Sequence, residues 1–413
     1  MLLQKVEQTL HQNEGSFGGQ VTINDVFGHV AGDHVLCVVA GILKDSVGIK
    51  DYIARVGGDE FAIAVVRADA LGAAERIAQR IIAACKESIV YDDKELRFGA
   101  SIGIALTDQA DTADLMENAD IALYDAKAAG RNRYALFSPE LREIAEEKKR
   151  LADALLKGLA DNQICPHFQP QVAASDGAFV GLEALARWRH PVMGMVSPGV
   201  FLPVAEELGL LGEIDEVILC KSLEMAKRLK ENGVNIPKVS VNVSYRRLKC
   251  NALLKRLEQM RPWPCRLAFE LLETIDFDQD ADSFAWILDG LRHLGVEIEL
   301  DDFGSGRASI TTLLRLRPDR IKIDRQLVAA VDSEVPGAHP LIKAIGEMGK
   351  SIGIQMTAEG IESPVQARVL SRLGCDVFQG FLYSKPLSEP DLVQWIKEHG
   401  ASCVPGIAGR PLS

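Results

Sequence analysis

The sequence predicts a multidomain α/β chain in which a (β/α)8-like barrel follows a smaller α+β domain. Three observations carry that expectation. A chain of 413 residues exceeds what one hydrophobic core organises, so two or three domains are expected. From "CPHFQPQV" (165–172) onward, short β-rich runs alternate with segments long enough for crossover helices, the pattern of a parallel sheet closed into a barrel. Between the two regions, "SPELREIAEEKKRLADALLKGLAD" (138–161) reads as a connecting helix with a charged outer face. The expected boundaries are 1–137 for the first domain, 138–161 for the connector, 162–403 for the barrel and 404–413 for a tail.

Composition narrows the classes. With 47% hydrophobic and 25% charged residues the chain is an ordinary globular protein, and disorder is excluded. The longest apolar run, "HVLCVVAGIL" (34–43), is about half a bilayer span, and no signal-peptide series is present, so no membrane span and a cytoplasmic location are expected. The net charge of −12 argues against a nucleic-acid polymer as partner, yet leaves room for a local carboxylate cluster that recruits cations. Eight cysteines are scattered without a zinc or redox spacing and read as reduced core residues.

In chain order, "LLQKVEQTL" (2–10) reads as the remnant of a helix. The glycine-rich "NEGSFGGQVTIND" that follows is poorly suited to a central strand, because glycine packs no side chain and costs backbone entropy. "ARVGGDEFAIAVV" (54–66) alternates like two strands of a hairpin, with Gly57 and Gly58 as the central residues of a type I′ turn. Asp59 and Glu60 then sit at an exposed tip, where a carboxylate pair can bind metal or simply be solvated. In the connector, Ser138 suits a cap, Pro139 suits the first turn, and Leu141, Ile144, Leu151, Leu155 and Leu159 recur at helical spacing.

Strand parity is the most informative signal in the barrel. In "KVSVNVS" (238–244) the valines share one face, leaving Ser240, Asn242 and Ser244 on the other. "VEIELDD" (296–302) splits the same way, with Glu297, Glu299 and Asp301 opposite Val296, Ile298 and Leu300. Lys322 in "RIKID" and Glu359 in "IQMTAEGIE" fall on the polar side as well. Glu183, Asn242, Glu270, Asp301, Asp302, Lys322, Glu359 and Gln379 are all expected at C-terminal strand ends, converging at the mouth where barrel enzymes keep their chemistry. The carboxylates and one amide oxygen form an all-oxygen donor set, which suits Mg2+ or Mn2+ rather than zinc. The adjacent pair Asp301-Asp302 can bridge two ions and so clamp a phosphoryl displacement, with Lys322 near the nucleophile.

The motifs "EALARW" (183–188), "VNVS" (241–244), "FELLE" (269–273), "DDFGSG" (301–306), "KID" (322–324), "AEGIE" (358–362) and "LGCDVFQGFLYSKP" (373–386) resemble, in order, those of the EAL family of cyclic di-GMP phosphodiesterases. The resemblance implies a barrel, often dimeric, that hydrolyses cyclic di-GMP to linear pGpG with two Mg2+ or Mn2+ ions. It implies Glu183, Asn242, Glu270 and Asp301 as ligands of one ion and Asp301, Asp302 and Glu359 as ligands of the other. Lys322 and Gln379 match positions near the attacking water, Arg187 and Gln169 positions that bind substrate, and Glu273 a glutamate that braces the loop after "DDFG". That loop reads "GSGRAS" here, and Arg307 and Ala308 depart from the family pattern. A noncatalytic receptor using the same pocket is the competing expectation.

"INDVFGHVAGDHVL" (23–36), "RVGGDEF" (55–61), "ASIGIAL" (100–106) and "ADIALYDAKAAGRNR" (119–133) resemble the GGDEF family of diguanylate cyclases. The resemblance implies a nucleotide site at Asn24, Asp33, the Gly57–Gly58–Glu60 hairpin, Lys127 and Arg131. The family's preceding Asp-x-Asp-x-Phe-Lys pattern is missing: its positions are Ser16, Gly18 and Val21. Upstream of the hairpin, 48–51 reads "GIKD", so Gly48 stands where the product-inhibition arginine is expected. The implied domain is a degenerate cyclase that binds GTP and regulates the hydrolase, with a bifunctional cyclase-hydrolase as a further alternative.

Overall fold

The computed structural model describes residues 2–10, 29–66, 69–92, 94–106, 114–250, 252–272, 281–304, 310–332 and 337–399. The chain divides into two units, Met1–Arg150 and Leu151–Ser413.

In the first unit, Leu2–Leu10 is a strand (β1), not the helix remnant the sequence suggested. It lies antiparallel between β3 (Glu60–Val65) and β6 (Phe98–Leu106), in register from Leu2↔Val65 to Glu7↔Glu60 on one side and from Leu2↔Leu106 to Leu10↔Phe98 on the other. The reason is pairing. Nine residues form only a marginal isolated helix, whereas here they satisfy backbone groups of two strands that would otherwise lack partners. With β2 (Tyr52–Gly57) beside β3 and β7 (Tyr134–Leu136) beside β6, the sheet order is β2-β3-β1-β6-β7; β4 (Ile89–Tyr91) and β5 (Lys94–Leu96) form a separate hairpin.

Helices His29–Ser46 and Ala70–Cys85 cover the sheet through Val35, Val39, Leu43, Ile77 and Ile81, spaced as one helical face requires. Strand β6 is buried in all but its last residue, so both of its faces are covered. Gly103 permits this: a Cβ there would lie 2.0 Å from the Ala119 carbonyl oxygen of helix Leu115–Ala128. Helix Pro139–Ala160 carries the chain from the first unit into the second, and Ser138 Oγ accepts from Leu141 N at its start. Of its apolar stripe Leu155 is fully buried, while Ile144 is exposed.

The second unit is a closed eight-stranded barrel. β8 (Ile164–Ala173), β9 (Phe179–His190), β11 (Lys238–Asn242), β12 (Arg266–Leu272), β13 (Val296–Phe303), β14 (Arg320–Ile323), β15 (Gln355–Ala358) and β16 (Val377–Phe378) follow one another, and β8 closes on β9. The expected barrel of parallel strands is found with one exception: β8 runs antiparallel to both neighbours. Its link to β9 is only the stretch 174–178, with Gly177 at φ +71°. A link that short suits an antiparallel pair, because parallel neighbours need a crossover. β9 also runs past the barrel and pairs there with the short β10 (Gly194–Val196).

The predicted parity holds. Val239, Val241, Ile298, Leu300, Ile321 and Ile323 are buried in one continuous core cluster, while Ser240, Glu270, Glu299 and Lys322 are buried among other polar side chains. Among the described cysteines only Cys85 and Cys375 are buried; Cys37 and Cys250 are exposed, so the all-core expectation fails. Among the described residues no helix is long and apolar enough to cross a membrane.

Candidate active site

Lys322 stands at the centre of the polar cluster. Its Nζ lies 2.6 Å from Glu359, 2.9 Å from Glu270, 3.1 Å from Asp301 and 3.4 Å from Glu183, and it is 1% exposed. Asn242 Nδ2 donates to Glu183 Oε1 at 3.1 Å and to Glu270 Oε2 at 3.2 Å. Gln379 donates to Glu183 Oε2 and, at 3.1 Å, to Gln169 Oε1, while Gln171 donates to Gln379 Oε1 at 3.0 Å. Eight expected residues therefore converge: Glu183, Asn242, Glu270, Asp301, Lys322, Glu359, Gln379 and Gln169.

Neighbouring residues in a regular strand point to opposite faces, so Asp301 and Asp302 should not share a site. Here the β13–β14 register shifts between Leu300 and Phe303, and Asp302 adopts φ +55°. The irregularity turns both carboxylates the same way. Asp301, Asp302 and Glu359 each bring an oxygen within 4.8 Å of one another, a carboxylate set able to hold a divalent cation. Glu359 and Gln379 lie one residue past their strands but are fixed by the ladder, Glu359 N donating to Ile323 O and Gln379 N to Ala358 O. One placement differs from expectation. Glu183 is not at a strand end but mid-strand in β9, level with Ser240, because β9 overshoots the barrel to pair with β10.

The electrostatics describe a site short of positive charge. Burial, then the neighbouring Glu183 charge, pushes the Glu270 carboxyl well above its ordinary range; burial and Asp301 do the same to Glu359. Burial and the Asp301 charge raise Asp302 to about 6. Burial opposes the Lys322 charge, but Asp301, Glu183, Glu270 and Glu359 outweigh it and hold the ammonium protonated. Glu183 is also pushed up by burial, but Lys322 and the amides of Gln379 and Asn242 bring it below its usual value. Glu270 Oε1 is buried with no hydrogen-bond partner. Mutually repelling carboxylates with an orphaned oxygen fit divalent cations, provided the amide of Asn242 turns its oxygen inward.

Other expected residues lie elsewhere or are undescribed. Arg187 shares the Glu183 face of β9, and its Nη1 donates to the Ala186 carbonyl at 2.8 Å. Glu273, Arg307 and Ala308 lie outside the described residues, as do Asn24, Ser16, Gly18 and Val21. In the first unit Asp33 is exposed on helix His29–Ser46, Lys127 is half-buried, and Arg131 is exposed at φ +56°. The β2–β3 turn is not the type I′ turn expected. Gly57 pairs with Glu60, so Gly58 and Asp59 are central, and of the two glycines only Gly58 has positive φ, +51°. A bulge between Arg55 and Gly57 makes the shift, and Arg55 holds the tip through two hydrogen bonds to the Gly58 carbonyl, at 2.9 and 2.6 Å.

Three groups escaped sequence reasoning. Below the mouth, buried Glu299 is bound by Lys238, by Ser240 at 3.0 Å and by Arg320 at 3.6 Å; burial opposes its charge, but the two cations hold it down to about 2. Parity had put Glu299 inside, yet nothing local revealed partners 61 residues upstream and 21 downstream. Asp324 of "KID" caps helix Arg325–Ala329 by accepting from Gln326 N at 2.8 Å. Asp215 accepts from Ser244 N at 2.8 Å and Ser244 Oγ at 2.6 Å, which anchors the loop after Asn242.

Comparison with known proteins accords with this geometry. Residues 152–386 match the EAL domain family, and residues 21–133 match the family described as diguanylate cyclase, GGDEF domain. The chain is 36% identical over 388 residues to a bifunctional diguanylate cyclase/cyclic di-GMP phosphodiesterase, MucR, of Pseudomonas aeruginosa, covering 91% of this chain and 55% of the relative. It is 32% identical to the cyclic di-GMP phosphodiesterase NbdA of the same organism, covering 93% and 49%. The chain thus spans about half the length of the curated relatives it matches. A solved structure described as the PaMucR phosphodiesterase in complex with c-di-GMP superposes with a TM-score of 0.55 at 33% identity, over 59% of this chain and 99% of that one.

Proposed function

This chain belongs to the EAL domain family, in tandem with a GGDEF domain, and from that premise we propose that it hydrolyses cyclic di-GMP to linear pGpG at the barrel mouth. The observation that carries the reading is the buried ring of carboxylates around Lys322, with Asp301 and Asp302 turned to one side. In this reading Glu183, Asn242, Glu270 and Asp301 hold one Mg2+ or Mn2+, and Asp301, Asp302 and Glu359 hold the other. When bound, such ions neutralise the carboxylates, act as Lewis acids toward the phosphodiester and supply the nucleophile at neutral pH.

The protein's own groups do the positioning. Lys322 keeps the carboxylates together before cations enter and afterwards offers its ammonium to the attacking water and the developing phosphate charge. Gln379, held by Gln169 and Gln171, orients that water. Arg187 turns its guanidinium from the Ala186 carbonyl to a substrate phosphate, where its fork can make two hydrogen bonds. Gln169 contacts substrate beside it, and Glu273 braces the loop after β13. Water attacks phosphorus, the bond from phosphorus to the 3′ oxygen breaks, and that oxygen leaves with a proton, opening the ring.

The first unit is a degenerate cyclase domain that binds GTP through Asn24, Asp33, the Gly57–Gly58–Glu60 tip, Lys127 and Arg131, and adjusts hydrolysis in a homodimer. Its support is the resemblance together with the missing aspartate at position 16. The decisive experiment incubates cyclic di-GMP and GTP, separately and together, with protein and Mg2+ or Mn2+, and identifies the products. Conversion to pGpG, abolished in Glu183→Ala, is expected. Binding of cyclic di-GMP without turnover would replace the enzyme by a receptor, and a hydrolysis rate indifferent to GTP, with no GTP bound, would remove the regulatory role.

A further inference from the structure

A cavity of about 360 Å3 in the barrel unit shares no lining residue with the cluster at the mouth. It lies between the first half of β8, the outer end of β9, helix Leu211–Glu231 and the start of helix Glu389–His399. Three cations line it: Arg189, Lys221 and Arg228. Arg228 is already neutralised by Glu389, with contacts of 2.7 and 3.4 Å. Among the described residues, Arg189 and Lys221 meet no carboxylate at ion-pair distance. Lys221 donates instead to the carbonyl oxygens of Asn162, at 3.3 Å, and Ile164. Glu224 lines the cavity one helical turn from Lys221 but does not reach it as an ion pair. His167 Nε2 is buried without a hydrogen-bond partner.

Electrostatics point the same way. Burial depresses protonation of both His167 and Lys221; the Arg187 charge and then the Arg189 charge depress His167 further, while at Lys221 the Arg189 charge works against that of Glu224. Arg189 and Lys221 thus face the cavity without a carboxylate at ion-pair distance, Glu224 acting on Lys221 only from farther off, and an anion placed between them is attracted to both. Pro166, Phe168, Met225 and Pro390 give the rest of the wall an apolar stretch, with Cys165 and Ser388 beside it. A volume near the lower end of small-molecule sites, an apolar wall and a few converging donors are what a small ligand requires.

We propose that this cavity is a binding site for a small organic oxyanion, a phosphate monoester or carboxylate on an apolar body, held by Arg189 and Lys221. The guanidinium grips two oxygens while the ammonium serves as a point charge. The assignment is independent of the hydrolytic reading. Isothermal titration of the full chain in EDTA, with phenyl phosphate, benzoate and inorganic phosphate as probes, tests it. Saturable binding of phenyl phosphate or benzoate at one site per chain is expected, at least ~10-fold tighter than inorganic phosphate; which of the two binds tells phosphate from carboxylate. Arg189→Gln, at an exposed position, and Lys221→Met should each weaken binding ~10-fold or more, with cyclic di-GMP turnover unchanged in Arg189→Gln. Absence of saturable binding overturns the site, as does binding that survives Arg189→Gln but is lost in Arg187→Ala, which would move the anion to the mouth.

Discussion

Replacing Lys322 by methionine removes the cation on which the mouth is built. Four carboxylates surround its Nζ at 2.6 to 3.4 Å, all in the interior. At an effective dielectric of about 20, a pair of unit charges about 3 Å apart is worth ~5 kcal/mol, so four contacts are large in gross terms. Most of that is cancelled by the cost of burying the ammonium and by the burial that works against ionisation of Glu270 and Glu359. The expected net loss is about 3–5 kcal/mol, typical of deleting one partner of a buried ion pair. For a unit of this size that lowers the melting temperature by about 10 °C. Calorimetry of wild type and Lys322→Met in EDTA at pH 8 measures it, and millimolar Mn2+ should restore most of the loss. Because Glu270 and Glu359 have raised folded pKa values, their charged forms appear only as pH rises, so the deficit should shrink toward acid pH. Equal melting of the two proteins in EDTA at pH 8 would refute the view that Lys322 is the standing counter-ion.

Three further expectations follow from single residues. Gly58→Ala should destabilise the first unit by ~1 kcal/mol through its φ of +51°, whereas Gly57→Ala should be nearly neutral; equal melting of the two variants would restore the type I′ turn. Gly380→Ala should cut turnover at least ~10-fold, because its Cβ would meet Ile361 N and O at 2.2 Å and displace Gln379, next to it in the chain; unchanged kcat would count against a positioned Gln379. Burial raises Asp215 to about 6, so its contribution to stability is fully present below about pH 4 and is lost as pH rises through 6; urea unfolding of Asp215→Asn should be flatter over pH 4–6 than wild type, and an identical slope would contradict this.

Much of the site was legible because β-strand alternation is a local property. The parity of "KVSVNVS" and "VEIELDD" separates core-facing from barrel-facing side chains without knowledge of the partner strand, and the structure respects that division at Asn242, Glu299 and Asp301. The Asp301-Asp302 pair stands plainly in the sequence, but nothing local to it reveals the register shift and left-handed φ that let neighbours share a face. Similarly, "GGDEF" announces a hairpin, yet its turn sits one residue later than glycine preference suggests. The bulge after Arg55 and the hold of Arg55 on Gly58 O are properties of the paired strands.

What the sequence alone determined was the class of each segment and the residues available for chemistry, since both follow from short-range periodicity and side-chain type. Long-range pairing decided the rest. Leu2–Leu10 became a central strand because β3 and β6 needed a partner; β8 turned antiparallel because only a short link joins it to β9; Lys238, Glu299 and Arg320 met because closing the barrel brings distant strands together. The carboxylate ring around Lys322 belongs to both accounts, its members named by parity and their common centre supplied by closure.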